Sequence, residues 1–236
     1  MSTETPSLVI TGSSSGIGLA FLNLAAGLYR PIVSLGRTDP GKFNEQHTHL
    51  NLDLKLSVTR QLQDFQTPKM IDCLVLCAGS DLGGRSDFLS RDFNLWEETI
   101  NVNFLRTLEL IQFLLPKVLA SKKKTILGIT STNIDHPAKG CLAYTAAKTA
   151  FRSCLEGLRL EYGGRGLRVI EVCPGLTKTD FAFNRLKNRS QADQFYAGFS
   201  SILSPQDVAQ SMLNSLNQSD GVVISRLEIQ PSILVI

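Results

Sequence analysis

Short apolar runs, set apart by glycine, proline and polar clusters, alternate along this chain with longer stretches of helical spacing. A polar lead over residues 1–7 enters the first run, 8–11, which has the length of a strand. Glycine punctuation and an apolar helical stretch over 17–28 come next. Runs over 32–35 and 50–54 predict a second and a third strand, and Ser57 predicts the cap of a helix reaching residue 65. Residues 71–77 are almost unbroken apolar, as a strand covered on both faces should be. The pattern then predicts a long helix over 93–120, a strand over 125–130, a helix over 141–162 and a strand over 167–173. Ser204 followed by Pro205 marks a helix start, with the helix running to 216, and 221–224 is the candidate seventh strand.

Strands alternating with helices predict an α/β fold: a doubly wound parallel sheet of about seven strands with helices on both faces. No repeat, low-complexity tract or linker divides the chain, so residues 1–236 read as a single domain. Ligands of such sheets sit at the carboxyl ends of the strands, near the point where strand order reverses.

Composition narrows the function classes. With 236 residues and 43% hydrophobic content, the chain is long enough to bury a full core. A net charge of +3, with acids and bases interleaved, leaves no footprint for nucleic acid or a membrane surface. The run Lys122-Lys123-Lys124 reads as the end of a helix, where cations meet the negative pole of the dipole. No apolar stretch approaches a membrane span, and the lead does not read as a signal peptide. Five cysteines, odd in number and scattered through predicted core elements, read as reduced thiols and point to the cytoplasm. No cysteine or histidine spacing matches a zinc site; His47-x-His49 reads as one face of a strand, and no metal is expected.

Two motifs carry chemistry. Thr11-Gly12-Ser13-Ser14-Ser15-Gly16-Ile17-Gly18 stands between the first strand and the first helix. Glycines there permit a tight turn and let backbone approach a pyrophosphate, which the helix N-terminus attracts. A ligand-free glycine turn is the plainer reading, and its position after strand one argues for a dinucleotide. Tyr144-x-x-x-Lys148 sets a phenol and an ammonium on one helix face. A free phenol ionises near pH 10, and a neighbouring ammonium favours its phenolate, which would make Tyr144 a usable acid and base.

Together with Ser131, these motifs give the sequence a resemblance to the short-chain dehydrogenase/reductase family over essentially its whole length. Asp53-Leu54, Ala78-Gly79, Asn103 and Pro174-Gly175-x-x-x-Thr179 match it further, and the run Leu203-Ser204-Pro205-Gln206-Asp207-Val208-Ala209 with Leu227-Glu228-Ile229-Gln230-Pro231 resembles the branch acting on 3-hydroxy acids and serine. The resemblance implies a Rossmann-type fold and hydride transfer between a nicotinamide dinucleotide and a carbonyl or alcohol. It implies Tyr144 as general acid and base, Lys148 as its support and as a grip on the nicotinamide ribose, and Ser131 as donor to the substrate oxygen. Asn103, preferred over Asn101, would anchor a relay water, and Ser131 is preferred over Thr130. Gly12, Ser14, Ser15, Gly16, Ile17 and Gly18 would meet the pyrophosphate, Asp53 and Leu54 the adenine, and Cys77, Ala78 and Gly79 the adenine ribose side. Pro174, Gly175, Thr177 and Thr179 would line the nicotinamide end, with Thr179 on its carboxamide. A homotetramer or homodimer, pairing the long helix and the helix from Cys141 across a two-fold axis, is also implied.

The sequence departs from the family in two places. Cys77 stands where the family usually has asparagine, which is expected to loosen the loop. Only about a dozen residues join Arg37 to Leu50, so the usual helix between strands two and three is expected to be missing or reduced to a turn. At the end of strand two, Gly36-Arg37 offers no carboxylate to a ribose 2′-hydroxyl and a guanidinium to a 2′-phosphate, which selects NADP ahead of NAD. Residues 180–203 would form a substrate lid. Its Arg185, Lys187 and Arg189 suit a small hydroxy or oxo acid, whereas Phe181 and Phe183 suit an apolar ketone or aldehyde. A dinucleotide-binding regulator without turnover is the alternative of a different class.

Overall fold

The computed structural model describes residues 5–63, 65, 67–219 and 221–233. The first four residues of the polar lead, and Asp64 within the expected second helix, lie outside it. Seven parallel strands form one sheet in the order β3-β2-β1-β4-β5-β6-β7. They are β1 Leu8–Thr11, β2 Ile32–Gly36, β3 His47–Asn51, β4 Cys73–Leu76, β5 Thr125–Ile129, β6 Arg168–Pro174 and β7 Arg226–Ile229. The order reverses at β1, which pairs with both β2 and β4.

Helices cover both faces. On one, α1 (Gly16–Ala25) and α8 (Pro205–Leu216) bury Phe21, Leu22, Val208 and Met212 against Leu8, Ile10 and Val75. On the other lie α2 (Val58–Leu62), α4 (Arg106–Leu119) and α5 (Leu142–Tyr162), packed on Val9, Leu74 and Ile126. Gly128 in β5 seats α5: a Cβ there would come within 2.8 Å of the Phe151 ring and 2.9 Å of Leu155. Phe151 is fully buried in that gap, and truncating such a ring costs about 3–5 kcal/mol. The sequence of β5 thereby sets how closely the helix bearing Tyr144 approaches the sheet.

Several boundaries differ from the pattern. β3 begins at His47 rather than at residue 50, because the Ser34 hydroxyl of β2 bonds both His47 Nε2 (2.9 Å) and His49 Nδ1 (3.0 Å) across the ladder. Leu52 and Leu54 are buried beyond the strand's end instead. β7 lies at Arg226–Ile229, after the 221–224 run whose first three residues are exposed, because pairing with Glu171–Pro174 selects it. No helix separates β2 from β3 among the described residues, as the short connection implies. The long helix is α3 (Phe93–Ile100), a π-helical turn (Asn101–Leu105) and α4 in succession. The remaining helices, α6 (Phe181–Leu186) and α7 (Arg189–Ala197), follow β6. No helix of the described residues is long and apolar enough to cross a membrane.

Candidate active site

A cavity of about 720 Å³ opens at the carboxyl ends of the strands. Gly12, Ser14, Ser15, Gly16, Ile17, Gly18, Arg37, Asp53, Leu54, Cys77, Ala78, Gly79, Pro174, Gly175, Thr177 and Thr179 all line it. So do Ser131, Tyr144 and Lys148, while Asn103 stands behind Gly79. Gly12 has φ +67°, and a Cβ on it would lie 2.7 Å from Ala78 N; one on Gly18 would lie 2.2 Å from Gly12 O. Only bare backbone fits there. Helix α1 starts at Gly16 with no side-chain cap from Ser15, so its first amides are free to receive an anion. This cradle suits the pyrophosphate of a dinucleotide, and exposed Arg37 borders the same cavity just past β2.

Tyr144 and Lys148 lie one turn apart on α5, both buried, with Lys148 Nζ 5.9 Å from the Tyr144 ring centroid. Lys148 Nζ donates to Ile129 O at 2.8 Å, and burial pushes its pKa down to about 8. A Cβ on Gly79 would fall 3.0 Å from Asn103 Oδ1 and 3.3 Å from Lys148 Nζ, so the asparagine and lysine flank one glycine. The π-helical turn aims Asn103 there. Its Nδ2 donates to Thr99 O (2.8 Å) and Ser80 O (2.5 Å), and its Oδ1 accepts from Ser80 N (3.1 Å). Such turns recur at functional sites because they re-aim side chains within a helix. Ser131 caps a short 3₁₀ turn, Thr132–Ile134, just past β5. Thr130, its competitor, also borders the cavity, but its hydroxyl is engaged elsewhere, donating to Glu171 Oε1 at 2.6 Å.

The sequence matches the pattern of the short-chain dehydrogenases over residues 7–190, more than half of its length. The chain belongs to that family. An uncharacterized oxidoreductase of Staphylococcus epidermidis is 27% identical over 235 residues, covering 94% of this chain and 96% of that protein. The glycine betaine reductase of Emericella nidulans is 31% identical over 240 residues; they make up 94% of this chain but only 18% of the relative. A serine dehydrogenase in its closed form, complexed with NADP⁺, superposes with a TM-score of 0.86 at 24% identity, covering 94% of each chain. The ligand-free aldohexose dehydrogenase of Thermoplasma acidophilum gives a TM-score of 0.80 at 23% identity, covering 95% of this chain and 92% of its own. These two likenesses show the shared fold.

Seen as a short-chain dehydrogenase, the site corrects three expectations. Lys148 does not hold the phenol below its ordinary value: burial pushes Tyr144 up to about 12, against the Ser131 hydrogen bond and the Arg185 charge. Desolvation outweighs charge in this pocket. Second, Cys77 does not leave the loop slack, because Ala78 N donates to Thr11 Oγ1 at 3.2 Å and joins the ends of β4 and β1. The thiol itself is pushed up to about 12 by burial.

The third correction concerns the basic lid residues. Arg189 pairs with Asp180 at 2.8 Å and lies over the Phe183 ring; neither Arg189 nor Phe183 lines the cavity. Lys187 ends α6 in a left-handed conformation with φ +54° and does not line it either. Arg185 does line it, but its Nε sits 3.0 Å from Asp81 Oδ2. Asp81 is buried and also meets Arg91 at 3.4 Å; burial raises its pKa, with Arg185, Arg91 and Arg85 opposing. Sequence reasoning missed both Asp81 and Arg85, whose guanidinium lines the cavity over the Phe195 ring, 5.3 Å from its centroid. Phe181 is the lid aromatic that reaches the chemistry, packed edge-on against Tyr144 at 5.4 Å.

Proposed function

We propose that this short-chain dehydrogenase transfers a hydride between NADP(H) and a carbonyl or secondary alcohol. The observation that carries the reading is the convergence of Ser131, Tyr144 and Lys148 on the cavity that also holds the glycine cradle. Gly12 to Gly18 would hold the pyrophosphate, Arg37 the 2′-phosphate, Asp53 and Leu54 the adenine, and Pro174 to Thr179 the nicotinamide end. The nicotinamide supplies or accepts the hydride when bound. In reduction Tyr144 donates its phenolic proton to the substrate oxygen, while Ser131 donates a hydrogen bond to the same oxygen as charge develops there. A phenol held near 12 is protonated throughout the neutral range, as a proton donor must be. Lys148 keeps an ammonium beside the developing phenolate, and Asn103 holds the Ser80 backbone and anchors a relay water.

The substrate is a small oxo or hydroxy acid. Three guanidiniums, Arg85, Arg91 and Arg185, surround the single Asp81 carboxylate, which leaves positive charge in excess beside Tyr144. Arg85 is the cation in position to receive a carboxylate. The serine dehydrogenase neighbour supports this reading, since serine carries such a group. Residues 180–203, with α6 and α7, act as the lid. Free cysteines at five positions are consistent with a reducing, cytoplasmic setting, and we propose a homodimer or homotetramer.

The test is NADPH oxidation with acetoacetate and with the isosteric neutral ketone 4-methyl-2-pentanone. Tyr144→Phe should lower kcat by at least about a hundredfold with NADPH binding retained, and Arg85→Gln should weaken only the reaction of the acid. Retention of more than about a tenth of the rate by Tyr144→Phe rules out the proton role, because such groups are worth about 10²–10⁴-fold. NADPH binding by the wild type without turnover of any carbonyl would instead favour the regulator reading. Preference for the neutral ketone, unchanged in Arg85→Gln, ends the acid assignment.

A further inference from the structure

Arg152 lies eight residues beyond Tyr144 on α5, in the same row as Lys148. Its guanidinium makes a two-pronged bond to Asp135, Nη1 to Oδ1 at 2.8 Å and Nη2 to Oδ2 at 2.9 Å. Its Nε donates to Glu171 Oε1 at 2.9 Å. That same oxygen accepts from the Thr130 hydroxyl at 2.6 Å. Thr130 immediately precedes Ser131, and Asp135 closes the 3₁₀ turn that Ser131 caps. Both ends of the segment bearing Ser131 are thus referred to one guanidinium on the helix that bears Tyr144. Arg226 of β7 completes the group, bonding Asp135 and approaching Glu171 at 3.9 Å.

We infer that Arg152 is a positioning residue, a strut that holds the Ser131 hydroxyl in register with the Tyr144 phenol. The inference rests on the reading of Ser131 and Tyr144 given above. Arginine suits the task where lysine does not. A planar fork can span two carboxylates in fixed directions, whereas a single ammonium holds one of them without fixing its angle. Glu171 is buried, so its bonds to Arg152 and Thr130 are shielded from competing water. The strut leaves the cofactor cradle untouched, since Gly12 to Gly18 lie in the turn after β1 and at the start of α1. Its loss is therefore expected in kcat ahead of nucleotide affinity.

A double-mutant cycle on the full chain tests this. Ser131→Ala, Arg152→Met and the double variant are compared for kcat and KM with acetoacetate and with 4-methyl-2-pentanone, for NADPH affinity by fluorescence, and for Tm. Arg152→Lys, the milder change, is carried in parallel in both backgrounds in case the methionine variant does not fold. Arg152→Met should lower kcat about ten- to a hundredfold, the scale of a misplacement near 1 Å, with NADPH affinity unchanged. Arg152→Lys should recover part of that loss. In the Ser131→Ala background neither substitution should lower kcat further, because the group being positioned is already gone. Equal factors in both backgrounds, or unchanged kcat in both Arg152 variants, overturns the inference and leaves the proposed mechanism standing. A Ser131→Ala variant with wild-type kcat instead overturns the role of Ser131, and the strut with it.

Discussion

Arg37, exposed just past β2 at the edge of the cavity, is where the proposed choice of nucleotide is tested. Arg37→Asp opposes a 2′-phosphate and offers an acceptor to a 2′-hydroxyl, so preference should turn from NADPH to NADH. Losing a charge-assisted bond of about 1.5–3 kcal/mol weakens NADP(H) binding roughly ten- to a hundredfold. Titrating both nucleotides by fluorescence checks it, and a wild-type protein that binds the two equally defeats it. Arg37 is legible in the sequence, as are other residues whose chemistry depends on neighbours along the chain; those that depend on contacts across the fold are not. Gly12, Gly16 and Gly18 announce themselves by their place after a strand, and Tyr144 and Lys148 by their spacing on one helix. The loop from Asp81 to Arg91 has no period to read, so nothing in it signals that Arg85 faces the cavity or that Arg91 and Arg185 meet a buried Asp81. The sign of the Tyr144 shift is illegible for the same reason, because Phe181 of α6 packs against the buried ring.

At the scale of elements, type was legible and ends were not. A parallel strand begins where its neighbour offers a partner, which is how Ser34 draws β3 back to His47 and how β6 selects Arg226–Ile229. The cap of α2 shows the same thing. Ser57 stands at the N-cap, as its residue type predicts, yet its hydroxyl makes no cap bond and donates instead to Glu109 Oε1 at 2.8 Å. That carboxylate, reaching over from α4, accepts from Thr59 N at 3.0 Å and serves as the cap. Burial would raise Glu109, but the bonds from Thr59, Ser57 and Arg106 outweigh it and pull the pKa down to about 2 from 4.5. A carboxylate depressed in the folded state stabilises above its unfolded pKa, and that contribution is lost as pH falls from about 4.5 toward 2. Glu109→Gln should therefore cost about 1 kcal/mol at pH 7, a fall of about 2–4 °C in Tm. Thermal melts from pH 7 to pH 2.5 should show the two proteins converging on the acid side; a constant gap would mean that the carboxylate charge is not what caps the helix.

For the molecule as a whole, strand order follows from alternation and the right-handed crossover, which is why the sheet was predictable while the use of its outer helix surfaces was not. The long helix has more apolar residues than one core-facing stripe needs. The core takes Ile111 and Leu115, which are buried. Leu105 remains 45% exposed, Phe93 72%, and on α5 Leu142 is 51% and Leu160 78% exposed. A shallow groove lined by Gln112, Leu115, Pro116, Leu119, Tyr162 and Arg165 lies at the C-terminal ends of the same two helices. Apolar surface gathered on two neighbouring helices is the pattern of a self-complementary two-fold interface, where each copy presents the same patch. Light scattering should give the wild type a mass of two or four chains of 25.9 kDa. Leu105→Glu places a charge in the apolar contact on both sides of the axis, where like charges face each other and lose their water. It should shift the protein toward single chains at micromolar concentration while the NADPH affinity of each chain persists, since Leu105 does not line the cavity. A wild type that runs as a single chain at tens of micromolar removes the oligomer from the proposal, and a Leu105→Glu variant that stays assembled moves the interface to another face.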